Sequence, residues 1–185
     1  VLCLEFHTKM NSLDAEVFKV ISEVITLIPA KGFQALVIYN EGTNFSVGVN
    51  LGQALFAANL AGWSEISKSV KQGQDIYQAL KYAPFPVVGA PSGMALGGGC
   101  EVLLHCDAIQ AHAETYLGLV EVGVGLVPAW GGCKEMLLRW MNNPKHPQGP
   151  MAAVGKVFEA IGMANVSRSA EEARDLLFLR PTDNI

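Results

Sequence analysis

The sequence has little charge, few aromatic side chains and no long uninterrupted apolar run. Only 16% of its 185 residues are charged and 8% are aromatic. The longest apolar stretch, Leu117 to Trp130, is interrupted by Glu121 and Pro128, so it predicts no membrane span. The net charge of −4, with no basic run, argues against non-specific binding to nucleic acid.

Half of the residues are nevertheless hydrophobic. This surplus is expected to fill a core, an oligomer interface or an apolar ligand tunnel, and the length suits one domain with or without a small appendage. The four cysteines show no Cys-x-x-Cys pairing, which favours reduced thiols in a cytoplasmic or matrix compartment. Because the chain starts at Val1 with what looks like a strand in progress, we expect a fragment of a longer protein.

Apolar runs and helical periodicities alternate along the chain. Short apolar runs predict strands at 1–6, 35–39, 86–90 and 108–111. Apolar stripes predict a helix with Ser12 as N-cap and stripe residues from Val17 to Ile28, and further helices over 64–81, 101–106, 132–140, 151–161 and 169–179. Glu41 to Gly48 is predicted as a loop. Strands alternating with helices predict an α/β fold with a mostly parallel sheet.

The segment from Ala95 to Glu101 places three consecutive glycines where a strand meets a helix. Such glycines let another molecule approach the backbone, and the N–H groups at a helix start stabilise negative charge. Taken alone, the segment slightly favours a tight packing turn over a site. The G-x-G-x-x-G spacing of a dinucleotide site is absent, which argues against a Rossmann dehydrogenase.

Two glutamates stand alone in apolar surroundings: Glu101 directly after the glycines, and Glu121 within the segment from Leu117 to Leu126. A carboxyl group buried there must be paired, protonated or functional, because burying an unpaired charge is costly. Without further information, each is as consistent with a structural role as with a catalytic one. Gly48, in the segment Phe45 to Leu51, could let neighbouring N–H groups face a ligand, although an ordinary loop is the simpler interpretation.

Taken together, these segments resemble the enoyl-CoA hydratase/isomerase (crotonase) superfamily over nearly the whole chain. The matching segments are His7–Leu13, Phe45–Leu51, Gly93–Glu101 and Glu121–Gly132. The sequence is most similar to the hydratase-like half of bacterial fused 3-hydroxyacyl-CoA dehydrogenases. The resemblance implies a crotonase-like ββα superhelix.

The resemblance also implies a set of site residues. It assigns the two oxyanion-hole N–H groups to Gly98 and Val49, the two catalytic acids to Glu101 and Glu121, and a coenzyme A contact to Lys9. Further substrate contacts are expected at Val47, Gly48, Gly97, Pro128 and Trp130. No metal and no cofactor are expected in this domain, because coenzyme A is part of the substrate; NAD is expected only in a dehydrogenase half.

The reaction implied is addition of water across the C2=C3 bond of 2-enoyl-CoA thioesters in fatty acid β-oxidation. Two alternatives remain: a Δ3-Δ2-enoyl-CoA isomerase, and a non-catalytic acyl-CoA-binding or assembly domain. The sequence departs from the family pattern at Asn50, where Asp is common, and at Ala129–Trp130, where a glycine usually follows the proline. The second departure leaves the placement of water and the width of the tunnel open.

The chain is expected to divide into a core domain over residues 1–163 and a truncated C-terminal helical region beginning over 164–185. The apolar side of the 169–179 helix (Leu176, Leu177 and Leu179) then needs a partner. We expect that helix to dock on a neighbouring subunit or to be poorly ordered, and the piece alone to be weakly active or inactive. The acyl-CoA substrate, a homo-oligomeric state, covalent fusion to a dehydrogenase domain and a cytoplasmic location complete the expectations.

Overall fold

The computed structural model describes residues 1–145 and 149–185 and shows two parallel sheets surrounded by helices. The strands are β1 (Leu2–Leu4), β2 (Leu36–Ile38), β3 (Asn44–Ser46), β4 (Val87–Gly89), β5 (Gly93–Leu96), β6 (Ala108–Ile109) and β7 (Thr115–Gly118). The α-helices are α1 (Ala15–Ala30), α2 (Leu51–Asn59), α3 (Trp63–Lys81), α4 (Gly98–Leu104), α5 (Gly132–Met141), α6 (Pro150–Gly162) and α7 (Ala170–Asp175). Two 3-10 turns cover Lys9–Asn11 and Glu121–Val124.

The sheets explain how distant segments meet. One has the order β1-β2-β4-β6 and the other β3-β5-β7, and every pairing is parallel. In parallel sheets the carboxyl ends of all strands lie at one edge, so the segments after β3, β5 and β7 are brought together there. The predicted α/β fold with parallel strands is confirmed.

Helix α1 follows the predicted apolar stripe but begins later than predicted. Asp14, rather than Ser12, is the N-cap, and its carboxylate accepts a hydrogen bond from the Val17 N–H at 2.9 Å. The helix cannot start at Ser12 because the next residue, Leu13, is drawn into an isolated parallel bridge with Val49. The start of α1 is therefore tied to the segment after β3.

The second sheet was largely missed. The predicted loop over 41–48 contains β3. The strand expected before the glycines, where β5 lies, was given no bounds, and β7 was not predicted. These strands have only three or four residues each and include Gly93 and Gly118, so neither length nor periodicity identifies them. Helix α2 was also missed; it begins after Asn50, whose side chain accepts from the Gly52 N–H at 3.1 Å.

The C-terminal segment packs on the same molecule. The predicted Ser169 cap is present, with its hydroxyl accepting from the Glu172 N–H at 3.1 Å, but α7 ends at Asp175 instead of continuing to 179. Leu177 and Leu179 are buried in the core of the chain, and Arg139 donates to the Leu177 carbonyl oxygen. The expectation that these leucines need a neighbouring subunit was wrong, because the chain turns after α7 and covers them itself. The division at residue 163 stays a prediction.

Two further findings concern the chain as a whole. Within the described ranges, no helix combines the length and the apolar character that crossing a bilayer requires. The four cysteine thiols are free.

Replacing Leu179 by Ala tests whether the C-terminal segment belongs to the folded core. Since Leu179 is fully buried, we expect the free energy of unfolding to fall by about 2–5 kcal/mol. The matched control is Leu55→Ala on α2, where the side chain is 64% exposed and the change should stay within about 0.5 kcal/mol. Urea denaturation measures both. Equal effects of the two substitutions would show that residues after α7 are not part of the cooperative core.

Candidate active site

Two backbone segments, one after β3 and one after β5, approach each other unusually closely. A methyl group built on Gly48 would lie 2.8 Å from the Leu96 carbonyl oxygen and 3.1 Å from the Gly98 nitrogen. Gly48 also has a φ of +87°, a conformation that side chains other than glycine disfavour. Glycine at this position therefore allows the Gly48–Val49 backbone to lie beside the Gly97–Gly98 backbone.

Hydrogen bonds on both sides hold the segment around Val49. The Leu13 N–H donates to the Gly48 carbonyl oxygen at 2.8 Å, and the Asn50 N–H donates to the Leu13 carbonyl oxygen at 3.3 Å. The Gly48 N–H donates to the Ser46 hydroxyl, and that hydroxyl donates to the Asn11 carbonyl oxygen. These bonds fix the neighbours of Val49 without using its own N–H group.

Gly98 is the first residue of α4. The preceding Gly97 has a φ of +54° and donates its N–H to the Gly118 carbonyl oxygen at 2.9 Å, which ties the start of the helix to β7. The first N–H groups of an α-helix have no acceptor within the helix. The Gly98 N–H is thus one of the donors that a helix start offers, and it lies next to the Val49 segment.

Glu101 is buried and tightly oriented. The residue is only 1% exposed. Its Oε1 accepts hydrogen bonds from the Trp130 N–H at 3.0 Å and from the Gly132 N–H at 2.8 Å. Burial raises the pKa of the Glu101 carboxyl to about 7; the negative charge of Glu121 adds to the increase, whereas the two N–H donors oppose it. Glu101 can therefore exchange a proton near neutral pH.

Glu121 also lies beside the glycine segment Gly97–Gly99. It begins the 3-10 turn after β7, and its Oε1 lies 3.2 Å from the position of a methyl group built on Gly97. Its Oε2 is buried and has no hydrogen-bond partner among the described residues. Burial also raises the pKa of this carboxyl. The structure thus brings Glu101 and Glu121 to one place, close enough for the charge of one to affect the titration of the other.

Trp130 links the glycine segment to Glu101. Its ring is buried and packs edge-to-face on Phe18, with ring centroids 4.8 Å apart, and a methyl group on Gly98 would lie 2.6 Å from it. The side chain is thus part of the core, whereas the backbone N–H binds the Glu101 carboxylate. Pro128 is buried as well. Substrate contacts at Pro128 and Trp130 stay predictions.

The remaining predicted residues lie around these elements. Lys9 is exposed in the 3-10 turn Lys9–Asn11, and Val47 is partly exposed between Ser46 and Gly48. The turn is connected to the site because the Asn11 carbonyl oxygen accepts from the Ser46 hydroxyl at 2.7 Å. A coenzyme A contact at Lys9 and a substrate contact at Val47 stay predictions.

Sequence reasoning missed Gly132, whose N–H is one of the two donors to Glu101. A signal was present: Gly131–Gly132 opens a helix, as Gly97–Gly99 does, and a helix start favours a nearby carboxylate. It also missed Tyr77, whose hydroxyl bonds to the Gly98 carbonyl oxygen, because nothing in the periodicity of α3 separates it from the other buried residues.

The arrangement offers two kinds of chemistry together. Backbone N–H groups at Val49 and Gly98 can stabilise negative charge on an oxygen, and two carboxyl groups with raised pKa values can exchange protons beside it. Exposed apolar side chains follow Val49 and Glu121 along the chain. They are Leu51, Leu55 and Phe56 after Val49, and Val124, Leu126 and Val127 after Glu121. Among residues 1–145 and 149–185, no group of three or more His, Cys, Asp or Glu side chains could hold a metal ion.

Two relatives illustrate what the sequence is similar to. The chain is 41% identical over all of its 185 residues to a probable 3-hydroxyacyl-CoA dehydrogenase of Bacillus subtilis (strain 168), and covers 23% of that protein. It is 37% identical over 134 residues to a fatty acid oxidation complex subunit alpha of Vibrio campbellii (strain ATCC BAA-1116), a match covering 70% of the chain and 19% of the relative. The chain therefore spans less than a quarter of the length of these two relatives.

Solved structures share the fold. An enoyl-CoA hydratase from Bacillus anthracis superimposes with a TM-score of 0.79 at 23% identity, covering 99% of this chain and 65% of that one. An enoyl-CoA hydratase from Polaromonas sp. JS666 superimposes with a TM-score of 0.82 at 22% identity, and the match covers 98% of this chain and 66% of that one.

The family model for enoyl-CoA hydratase/isomerase matches residues 1–145, which is most of the chain and includes every segment of the candidate site. With the parallel sheets and the solved structures that share them, this match shows that the chain belongs to the enoyl-CoA hydratase/isomerase family and has the crotonase fold.

Proposed function

We propose that this chain is an enoyl-CoA hydratase-type domain that adds water across the C2=C3 bond of 2-enoyl-CoA thioesters. The observation that carries the proposal is the pair of carboxyl groups, Glu101 and Glu121, held at the glycine segment beside the Val49 and Gly98 backbone. Membership of the family supports the substrate class.

The backbone supplies the first part of the mechanism. As water attacks C3, negative charge builds on the thioester oxygen, and the Val49 and Gly98 N–H groups are proposed to donate to that oxygen. Donors fixed in place and shielded from water stabilise such charge well, and removal of one donor in comparable sites costs about 10²–10³ in rate. The close approach of the Gly48 and Gly97–Gly98 backbones supports this pairing of donors.

The two acids supply the second part. Oε1 of Glu101 is engaged by two backbone N–H groups, which orients the carboxyl and leaves Oε2 for the attacking water. Glu121 brings a buried oxygen without a partner among the described residues, and such a group gains most from binding a water or a substrate. One carboxyl takes a proton from water while the other delivers a proton to C2. Coupling between the acids helps to keep one of them protonated.

The presence of two acids favours hydration over isomerisation, which requires a single acid to move a proton along the acyl chain. Assays with crotonyl-CoA and with a 3-enoyl-CoA separate the two reactions. A non-catalytic acyl-CoA-binding domain would bind both thioesters with measurable affinity and turn over neither.

We further propose that the domain acts in fatty acid β-oxidation within a longer protein. Support comes from relatives named as a 3-hydroxyacyl-CoA dehydrogenase and as a fatty acid oxidation complex subunit, of which this chain spans a minor part. The hydratase product is a 3-hydroxyacyl-CoA, the substrate of such a dehydrogenase. In this arrangement NAD serves the dehydrogenase half, and the present domain uses no cofactor besides the coenzyme A of its substrate. A homo-oligomeric state and a cytoplasmic location are part of the same proposal.

Replacing either acid by its amide tests the proton transfers. Glu101→Gln and Glu121→Gln should each lower kcat for crotonyl-CoA hydration by about 10²–10⁴, because an amide neither accepts nor delivers the proton. Loss of the conjugated thioester absorbance measures the rate. Glu114→Gln, an exposed acid before β7, is the control and should match the parent. Full activity in either amide variant at the glycine segment would contradict the two-acid mechanism.

Substitutions of Val49 test the backbone donor. Val49→Pro removes the N–H and should lower kcat by about 10²–10³, whereas Val49→Ala keeps it and should change little. Circular dichroism and melting temperatures of both variants show whether the segment still folds. Turnover that survives in a folded Val49→Pro variant would remove Val49 from the oxyanion hole.

The pKa of Glu101 predicts a pH-dependent stability. Because burial raises it from 4.5 to about 7, the folded state binds more protons than the unfolded state between those values, and stability falls as pH rises through this window. The carbonyl oxygen of Gln in Glu101→Gln can accept the same two N–H bonds without this loss. Its stability relative to the parent should rise by about 3 kcal/mol between pH 4 and pH 8. A pH-independent difference in urea denaturation would show that Glu101 titrates normally.

A further inference from the structure

Tyr77 has a buried polar side chain beside the glycine segment, and the proposed chemistry leaves this side chain unused. It lies on α3, is fully buried, and its hydroxyl donates to the Gly98 carbonyl oxygen at 2.8 Å. Burial raises the pKa of the phenol well above its usual value, so the hydroxyl keeps its proton and remains a donor at the near-neutral pH of an activity assay. The contact joins α3 to α4 through two residues that are 21 positions apart in the chain.

Gly98 is enclosed on other sides by apolar side chains. A methyl group built on Gly98 would lie 2.6 Å from the Trp130 ring and 3.0 Å from a Leu13 methyl carbon. The Tyr77 ring in turn meets the Trp130 ring edge-to-face, with centroids 5.8 Å apart. Packing therefore limits where Gly98 can lie, but packing is not directional. The hydroxyl of Tyr77 adds the directional contact, since its hydrogen bond to the Gly98 carbonyl fixes the orientation of the Gly98–Gly99 peptide, which shares the Gly98 α-carbon with the peptide that carries the Gly98 N–H.

We infer that Tyr77 is a positioning residue that holds Gly98 so that its N–H stays aligned with the Val49 N–H. Gly98 carries both groups: its carbonyl is bound by Tyr77, and its N–H is the donor assigned to the thioester oxygen. Glycine has no side chain to restrict rotation about its backbone bonds, so an outside contact has more to contribute at this position than at another residue. The inference rests on the proposed function, because the alignment matters only if Gly98 donates to a substrate oxygen.

The hydroxyl can be separated from the ring. Tyr77→Phe keeps the ring and its packing on Phe18, Trp130 and His105, and removes only the bond to Gly98. A role in packing alone would therefore survive the substitution, whereas a role in aligning Gly98 would not. Tyr116→Phe on β7 is a matched control, since Tyr116 is partly buried and lies near the start of β7, whereas Glu121 follows the end of that strand.

Two measurements test the inference. In crotonyl-CoA hydration, Tyr77→Phe should lower kcat about tenfold with KM within about twofold, because misalignment weakens stabilisation of developing charge more than it weakens binding. The second measurement is the infrared carbonyl frequency of bound butyryl-CoA carrying ¹³C at the thioester carbon, a saturated thioester that cannot be hydrated. Donation by two N–H groups lowers this frequency, and the lowering should be smaller in Tyr77→Phe. Tyr116→Phe should match the parent in both.

The outcomes are distinct. A folded Tyr77→Phe variant with the parent kcat and the parent carbonyl frequency would overturn the inference, and so would a lower kcat at an unchanged frequency, which would mark a purely structural role. The inference would be supported if the parent hydrates crotonyl-CoA and lowers the carbonyl frequency, and if Tyr77→Phe hydrates more slowly and lowers the frequency by less. A parent protein that neither hydrates crotonyl-CoA nor shifts the carbonyl frequency would overturn the proposed function itself.

Discussion

The close approach of the Gly48 and Gly98 backbones is the constraint on which the rest of the site depends. No side chain fits between them, and a methyl group on Gly99 would likewise lie 2.6 Å from the Ser46 carbonyl oxygen. The approach is possible because β3 and β5 are parallel neighbours, so their carboxyl ends deliver both segments to the same edge of the sheet. Leu13 then secures the arrangement by bonding to Gly48 and Asn50 on either side of Val49.

The two carboxyl groups show what this arrangement costs. Burying an acid raises its pKa and lowers stability where the acid must ionise. The cost at Glu101 is partly offset by the N–H groups of Gly132, the first residue of α5, and of Trp130 just before that helix, whereas Glu121 keeps one buried oxygen without a partner among the described residues. Poorly satisfied buried groups are expected where a substrate completes the bonding, which is the reason Glu121 supports a site and not only a fold.

Some features follow from local sequence and others do not. The stripe from Val17 to Ile28 predicts α1, and runs such as Leu36–Ile38 predict the strands of the first sheet, because each buries a face of its own. The strands β3, β5 and β7 escape such reasoning, since each is held by pairing with its neighbours and not by its own periodicity. The C-terminal leucines were misjudged for a related reason: local pattern shows that Leu179 needs burial, but not which surface covers it.

By itself, the sequence determined the class of the fold, the glycines at 48 and 97–99, and the two isolated acids, because each of these is a property of neighbouring residues. The tertiary structure alone decided that Glu101 takes its donors from Trp130 and Gly132, that the Trp130 ring lies in the core, and that Tyr77 bonds to Gly98. These contacts join residues 21 to 31 positions apart. Their geometry depends on how parallel strands and helices pack, which no local pattern of residues specifies.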